Sequence, residues 1–367
     1  MAVPMLDIGV QNAPLKARVM EAIGGLIDSS AFVLGPIVEA FEADLAAYCG
    51  AGHAVGMTSG TDTLLASLMA LGVGPGDEVV VPAFSFFATA SVVARVGATP
   101  VFVDIDPVTF NIDPAGIAAA ITDNTKAIIP VHLFGQCAEM GEISKTAEGR
   151  GVAIIEDTAQ AIGAKHNGQH AGTLGTINSI SFYPTKNLGA FGDAGAVTTN
   201  DAELAQRLRQ IRLHGQTDAY RHELLGGNFR IDALQAAVLK IKLANLDEYT
   251  AGRRAAAERY NGLLSDLPIT LPVEAADQFH VYNQYTIRCD NRDALCEHLK
   301  AKGIGHKVYY PLPLHLQPCF SQFGGAVGQC PEAERAAEQV VSLPMYPEIP
   351  AAHIEETAAA ITSYFQG

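Results

Sequence analysis

Positive charge is scarce in this chain of 367 residues. Its 24 lysines and arginines face 39 aspartates and glutamates, for a formal net charge of -15. Such a chain is a poor partner for a nucleic-acid backbone, which is bound through basic side chains that neutralise phosphates. An anionic small molecule remains a possible ligand, but only in a local basic or amide-lined pocket. Cysteines are few and scattered. The six (Cys49, Cys137, Cys289, Cys296, Cys319, Cys330) include no Cys-x-x-Cys pair. That excludes the common zinc and redox motifs and suits free thiols in a reducing compartment. Long apolar runs are missing as well. The best candidate, "ATASVVARVGATPVFV", is broken by Arg95 and Pro100, so no membrane span is expected. The opening "MAVPMLDIGVQNAPLKARVM" has no basic start followed by an apolar core. No signal peptide is expected there, and the cytoplasm is the expected location. Repeats and low-complexity tracts are absent.

What is present is a large apolar fraction, 49%, enough to bury a substantial core. From about residue 50 the pattern alternates. "HAVGMTSG", "DEVVVPAF", "TPVFVDID", "TKAIIPVHLFG" and "GVAIIEDTAQA" read as strands; "TDTLLASLMALG" and "FFATASVVARVG" read as helices. The strand runs are short, β-branched and nearly continuous, as in strands buried on both faces. Strand–helix alternation predicts an α/β fold with a mostly parallel central sheet flanked by helices. "TINSISFYP" and "GAVTTND" add further strands. Residues 231 to 264 show helical periodicity almost without breakers and predict one long connecting helix. The expected division is a large domain over residues 1–250 and a smaller α+β domain over 251–367, closed by the helix "AAHIEETAAAITSYFQ".

In open parallel sheets, ligands bind beyond the carboxyl ends of the strands. Four such ends carry candidate chemistry. In "TSGTDTL", a glycine turn leads into a helix whose first turn holds Thr61 and Asp62. Free amides there suit a phosphate, although an ordinary N-cap by Ser59 or Thr61 explains the same residues. In "IIEDTAQA", Asp157 stands where a carboxylate can accept from a cationic ring nitrogen, with Gln160 following; a helix cap is the plainer alternative. In "SFYPTKNLGAFGDAGAV", Ser181 ends a strand and Lys186 follows five residues later. Apart from Lys186, no Asp, Glu, Lys or Arg lies between Lys165 and Asp193, which argues against a free surface loop. A partly desolvated lysine can form a Schiff base. In "VPAFSFFAT", Phe86 can stack on a flat ring or serve the core. Phosphate, flat ring, cationic ring nitrogen and aldehyde together describe pyridoxal 5'-phosphate, an electron sink for carbanion chemistry.

The blocks from "FVLGPIVEAFEADLAAYCGAGHAVGMTSGTDTLLASLMALGVGPGDEVVVPAFSF" through "EDTAQAIGA", "SFYPTKNLGAFGDAGAVTTND", "RLHGQ", "GGNFRIDALQAAVL" and "YYPLPLHLQP" span nearly the whole chain. In that order they resemble the pyridoxal-phosphate-dependent nucleotide-sugar aminotransferases of fold type I, the DegT family. The resemblance implies that Lys186 carries the cofactor, that Asp157 pairs with its ring nitrogen, that Gln160 lies by the ring and that Phe86 stacks on it. It implies Thr61, Asp62 and Ser181 at the phosphate, the first two largely through backbone amides, and Asn228 reaching the phosphate of the other subunit of a homodimer. Arg230 and Tyr310 would lie near the sugar or the donor carboxylate. Tyr309 stands where the family often has histidine, which bears on sugar recognition.

The implied reaction passes the amino group of L-glutamate, leaving 2-oxoglutarate, to a nucleotide-linked keto sugar. The segment "NQYTIRCDNRDALCEHLKAKGIGHKVYYPLPLHLQP" is most similar to enzymes that aminate carbon 3 of UDP-linked 3-oxo sugars. Examples act on 2-acetamido-3-oxo-glucose or its uronic acid, for polysaccharide or lipopolysaccharide synthesis. dTDP-linked 3-oxo-6-deoxyhexoses, or 4-oxo sugars, are the alternative. A related sugar dehydratase usually has histidine at the position of Lys186, and a non-catalytic regulator would bind cofactor without turning over glutamate. A metal hydrolase lacks support: "HELLG" at 222–226 has no second histidine.

Overall fold

The structure, a computed structural model, describes residues 2–366. Seven strands form the central sheet: β1 His53–Met57, β2 Glu78–Pro82, β3 Thr99–Val103, β4 Thr125–Ile128, β5 Ala153–Asp157, β6 Ile177–Ser181 and β7 Gly195–Thr199. Their spatial order is β1-β7-β6-β5-β4-β2-β3. β7 runs antiparallel to both neighbours, and the other pairs are parallel. Most strand positions are buried, and several β2, β4 and β7 residues are fully so. This is why the runs read as continuous rather than alternating: helices cover both faces. β1, β2, β5 and β6 end on one edge, where β7 begins.

The helix Gly60–Ala70 follows β1 and buries Leu64, Leu65 and Leu68 with Val79 and Val81 of β2. Gly60 is required by close approach: a Cβ there would lie 2.6 Å from Cβ of Ser181. The two strand ends that frame the edge therefore touch.

The long helix expected over 231–264 is two helices, Ala233–Leu243 and Leu246–Leu264. No glycine or proline marks the break. Asn245 leaves helical geometry (φ -112°, ψ 5°) and its side chain donates to the Ile241 carbonyl at 3.0 Å. Asp247 and Glu248 then occupy the first turn of the second helix, where carboxylates favour a start. The second helix packs in a cluster with Tyr285 and Ile287 of β8 (Tyr285–Arg288), Val341 and Leu343 of β9 (Val340–Leu343), and Ile354 and Ile361 of the last helix, Ala351–Gln366. β8 and β9 pair antiparallel.

Leu314, Phe320, Ala333 and Ala336 instead join Val81, Phe84 and Phe102 beside the central sheet. Leu314 N–H donates to the Ala83 carbonyl at 2.7 Å. This docking carries the segment around residue 310 to the strand edge. Among the described residues, no helix is long and apolar enough to cross a membrane, and no group of three or more His, Cys, Asp or Glu side chains could hold a metal ion.

Candidate active site

A cavity of about 770 Å³ opens at the strand edge. Its walls include Thr61, Phe86, Asp157, Gln160, Ser181, Lys186, Tyr309 and Tyr310. Eight of the eleven residues singled out from the sequence thus meet in one pocket, of a size that suits a cofactor with its substrate.

Lys186 is presented by a short loop whose flanking residues are locked. Phe182 and Leu188 are fully buried, and Lys186 N–H donates to the Tyr183 carbonyl at 2.8 Å. Asn187 is buried; its Nδ2 donates to the Val281 carbonyl, and its Oδ1 accepts from Asn283 Nδ2 at 2.8 Å. Gly189 completes the turn, since a Cβ there would meet the Pro184 carbonyl oxygen at 2.3 Å. Burial pulls the Lys186 amine down to about 8, against a raising influence from the Asp157 charge.

Asp157 is buried at the end of β5. Burial raises its pKa; hydrogen bonds from Ala159 N–H (3.1 Å) and Thr89 Oγ1 (3.0 Å), together with the charge of Lys186, oppose that rise. Gln160 Oε1 accepts from Phe134 N–H at 2.7 Å, and its Nε2 donates to Tyr310 Oη at 3.0 Å. That bond holds the Gln160 side chain and the Tyr310 ring together across the pocket wall. Tyr310 also meets Phe84 edge-on, with centroids 5.9 Å apart. Phe86 is 56% exposed, so its ring serves the pocket rather than the core.

At the helix start, Ser59 is the cap: its Oγ accepts from Asp62 N–H at 3.1 Å. The Asp62 amide is therefore already bonded. Its carboxylate accepts from Thr58 Oγ1 at 2.7 Å and Ser59 Oγ at 3.1 Å, and it lines an adjoining groove rather than the main pocket. Arg230 lies in that groove too, with Ser59 and Asp193 common to both spaces. Asn228 is exposed and lines neither; it forms a bridge with Leu213. Within one chain, Asp62, Arg230 and Asn228 are apart from the other eight.

Sequence reasoning passed over three side chains. Thr89 and Ser85 stand behind Asp157, and Gln284 lines the pocket with a buried Oε1 that has no partner. The threonine's place in the first turn of a helix after a strand end was the available signal for it.

The donor set fits pyridoxal phosphate. A partly buried amine with a lowered pKa, a buried carboxylate, an exposed ring face, a hydroxyl and a helix start line one space, and Gln284 brings an unmatched acceptor. A second cavity, about 960 Å³, lies at Tyr48, Lys165, His170 and Arg254, away from this constellation.

Residues 14–362 match the DegT/DnrJ/EryC1/StrS aminotransferase family. The chain is 54% identical over 353 residues, 95% of each chain, to a protein of Geobacillus stearothermophilus named pleiotropic regulatory protein. It is 47% identical over 366 residues, 100% of this chain and 99% of the other, to the UDP-N-acetyl-3-dehydro-alpha-D-glucosamine 3-aminotransferase of Acidithiobacillus ferrooxidans. Among solved structures, S. venezuelae DesV in complex with a ketimine intermediate superposes with a TM-score of 0.97 at 43% identity, covering 100% of this chain and 99% of that one. The agreement of sequence, fold and pocket has a plain consequence: the chain belongs to the DegT/DnrJ/EryC1/StrS family, it is an aminotransferase, and pyridoxal phosphate is its cofactor.

Proposed function

We propose that the protein transfers the amino group of L-glutamate to carbon 3 of a UDP-linked 3-oxo sugar. The sugar would be 2-acetamido-3-oxo-glucose or its uronic acid, and the product a 3-amino sugar for polysaccharide or lipopolysaccharide synthesis. The observation that carries the substrate is the end-to-end similarity to a relative named for that reaction. The transamination itself is supported by Lys186 and Asp157 meeting in one pocket.

In this reading Lys186 holds the cofactor, Asp157 accepts from its ring nitrogen, Phe86 covers a ring face and Gln160 lies beside it. Thr61 N–H and Ser181 serve the phosphate. Bound pyridoxal phosphate supplies the electron sink that stabilises charge left on the carbon losing its proton. Once the donor amine has displaced it from the cofactor, the free Lys186 Nζ would take the α-proton of glutamate and give a proton back. A pKa lowered to about 8 leaves part of the amine neutral near pH 7 and so able to do this. Tyr309 and Tyr310 line the side of the pocket assigned to the sugar. The division into domains near residue 250 belongs to the same proposal.

The active unit is proposed to be a homodimer with shared sites. Two features support this: Asn228 is exposed and outside its own chain's pocket, and Met20, Ile27, Phe32 and Val33, none of which lines that pocket, remain exposed. Mixing Lys186→Ala with Asn228→Asp subunits should restore activity, approaching half the wild-type level per mixed dimer. No recovery, with subunit exchange demonstrated, removes the shared site.

The substrate is tested by supplying L-glutamate with a panel of 3-oxo and 4-oxo sugar nucleotides. Preferred amination of the UDP-linked 3-oxo sugar supports the proposal. Preferred amination of a dTDP-linked 3-oxo-6-deoxyhexose selects the alternative. Failure of every acceptor in the panel would place the substrate outside both sugar classes.

A further inference from the structure

We infer that Thr89 is a positioning residue that, with Ser85 behind it, fixes the Asp157 carboxylate for the cofactor's ring nitrogen. Thr89 is fully buried and Ser85 nearly so. Thr89 Oγ1 donates to Asp157 Oδ2 at 3.0 Å, and Ser85 Oγ lies 3.0 Å from Thr89 Oγ1. An ionised carboxylate only accepts, and a hydroxyl has one proton. Thr89 therefore gives its proton to Asp157 and must accept from Ser85. The chain has one direction, from Ser85 through Thr89 to Asp157, and it favours the charged form of the acid.

The other groups acting on Asp157 are the Ala159 N–H, Lys186 and His132. Ala159 N–H binds the other oxygen, Oδ1. Thr89 is the side-chain donor to Oδ2. Two donors on different oxygens fix the rotation of the carboxyl plane, whereas one would leave it free to turn. The turn also joins two features of the pocket. Thr89 N–H donates to the Phe86 carbonyl at 3.2 Å, so the segment that offers the Phe86 ring to the pocket also holds Asp157 from behind. A displaced turn would disturb both together.

The inference rests on the proposed pairing of Asp157 with the ring nitrogen, and its test separates the two. The holoenzyme is titrated with pH while its visible absorbance is followed, and the L-glutamate half-reaction is timed. Thr89→Val keeps the shape and removes the hydroxyl; Thr89→Ser keeps the hydroxyl. The valine variant should shift the titration and slow the half-reaction by roughly tenfold, with KM for glutamate little changed, because a hydrogen bond to a charged group is lost. The serine variant should restore both. Ser85→Ala should shift the titration less than Thr89→Val, and it supplies the test if the valine variant does not fold. A valine variant that titrates like wild type while Asp157→Asn does not, or a serine variant as impaired as valine, overturns the role of Thr89. If Asp157→Asn also titrates like wild type, the fault lies in the Asp157 assignment.

Discussion

The last two residues of β5 carry carboxylates into opposite surroundings. Glu156 is fully buried and accepts from the N–H groups of Gly172 (2.9 Å), Leu174 (2.8 Å) and Gly175 (2.7 Å), and it pairs with His132 Nε2 at 3.0 Å. Ala138 N–H donates to His132 Nδ1 at 3.0 Å, so the proton of a neutral ring sits on Nε2 and points at Glu156. Asp157 has one donor on each oxygen and borders the pocket. A carboxylate whose acceptor capacity is filled by backbone amides holds a loop. One with capacity left, facing a cavity and a lysine, is available for a ligand. Two lysines make the same point. Burial lowers both Lys186 and Lys242 to about 8, yet Lys242 is sealed off near Asn12 and Phe191. A displaced pKa acquires chemical meaning only beside an open space.

The contrast can be broken at its strongest point by Lys186→Ala. Turnover should fall by about 10²–10⁴-fold or more, as expected when the proton-transferring group is lost. Borohydride treatment of the wild type followed by peptide mapping should find the cofactor on Lys186, and label on another lysine refutes the assignment. Next in size is Asp157→Asn, which keeps shape and removes charge. Turnover should drop by about 10²-fold or more while folding persists. The same change should move the Lys186 amine further down in cofactor-free protein. Asp157 raises that pKa, so its removal favours the neutral amine, and NMR of a methylated lysine would read the direction. Smallest for catalysis is Glu156→Gln. It should cost about 2–4 kcal/mol of stability, since an amide puts a donor among donors and breaks a buried pair. Denaturant melts would report this, with turnover of the folded fraction retained. A Glu156→Gln protein that is stable but inactive would erase the distinction between the two acids.

Much of this was legible from local sequence. Short apolar runs followed by Gly60, Asp157 or Lys186 locate strand ends because the periodicity and the breakers are local. The partners of Asp157 are not local: Thr89 lies 68 residues away, and only the order of β5, β4 and β2 brings it near. Asp62 could be assigned to a helix start, but whether its amide was free depended on which way the Ser59 side chain turned. The break at Asn245 was signalled by an asparagine followed by two acids, a start signal that the uninterrupted periodicity around it masked. Tyr309 and Tyr310 enter the pocket because Leu314 and Phe320 dock on the central sheet, a long-range fact.

The Lys186 loop is tied down through Asn187 to Val281 and Asn283. Asn283 is held in turn by buried Arg253, whose guanidinium donates to the carbonyls of Tyr282, Asn283 and Met345. This clasp closes late in synthesis. Chains emerge N-terminus first, and the central sheet is complete by Thr199, long before Met345 leaves the ribosome. We expect a nascent chain to carry its lysine untethered and to capture cofactor only after release. Full-length Asn187→Ala, which cuts the tether alone, should then lose pyridoxal phosphate on dialysis faster than wild type, whereas equal retention would show that the loop sets itself.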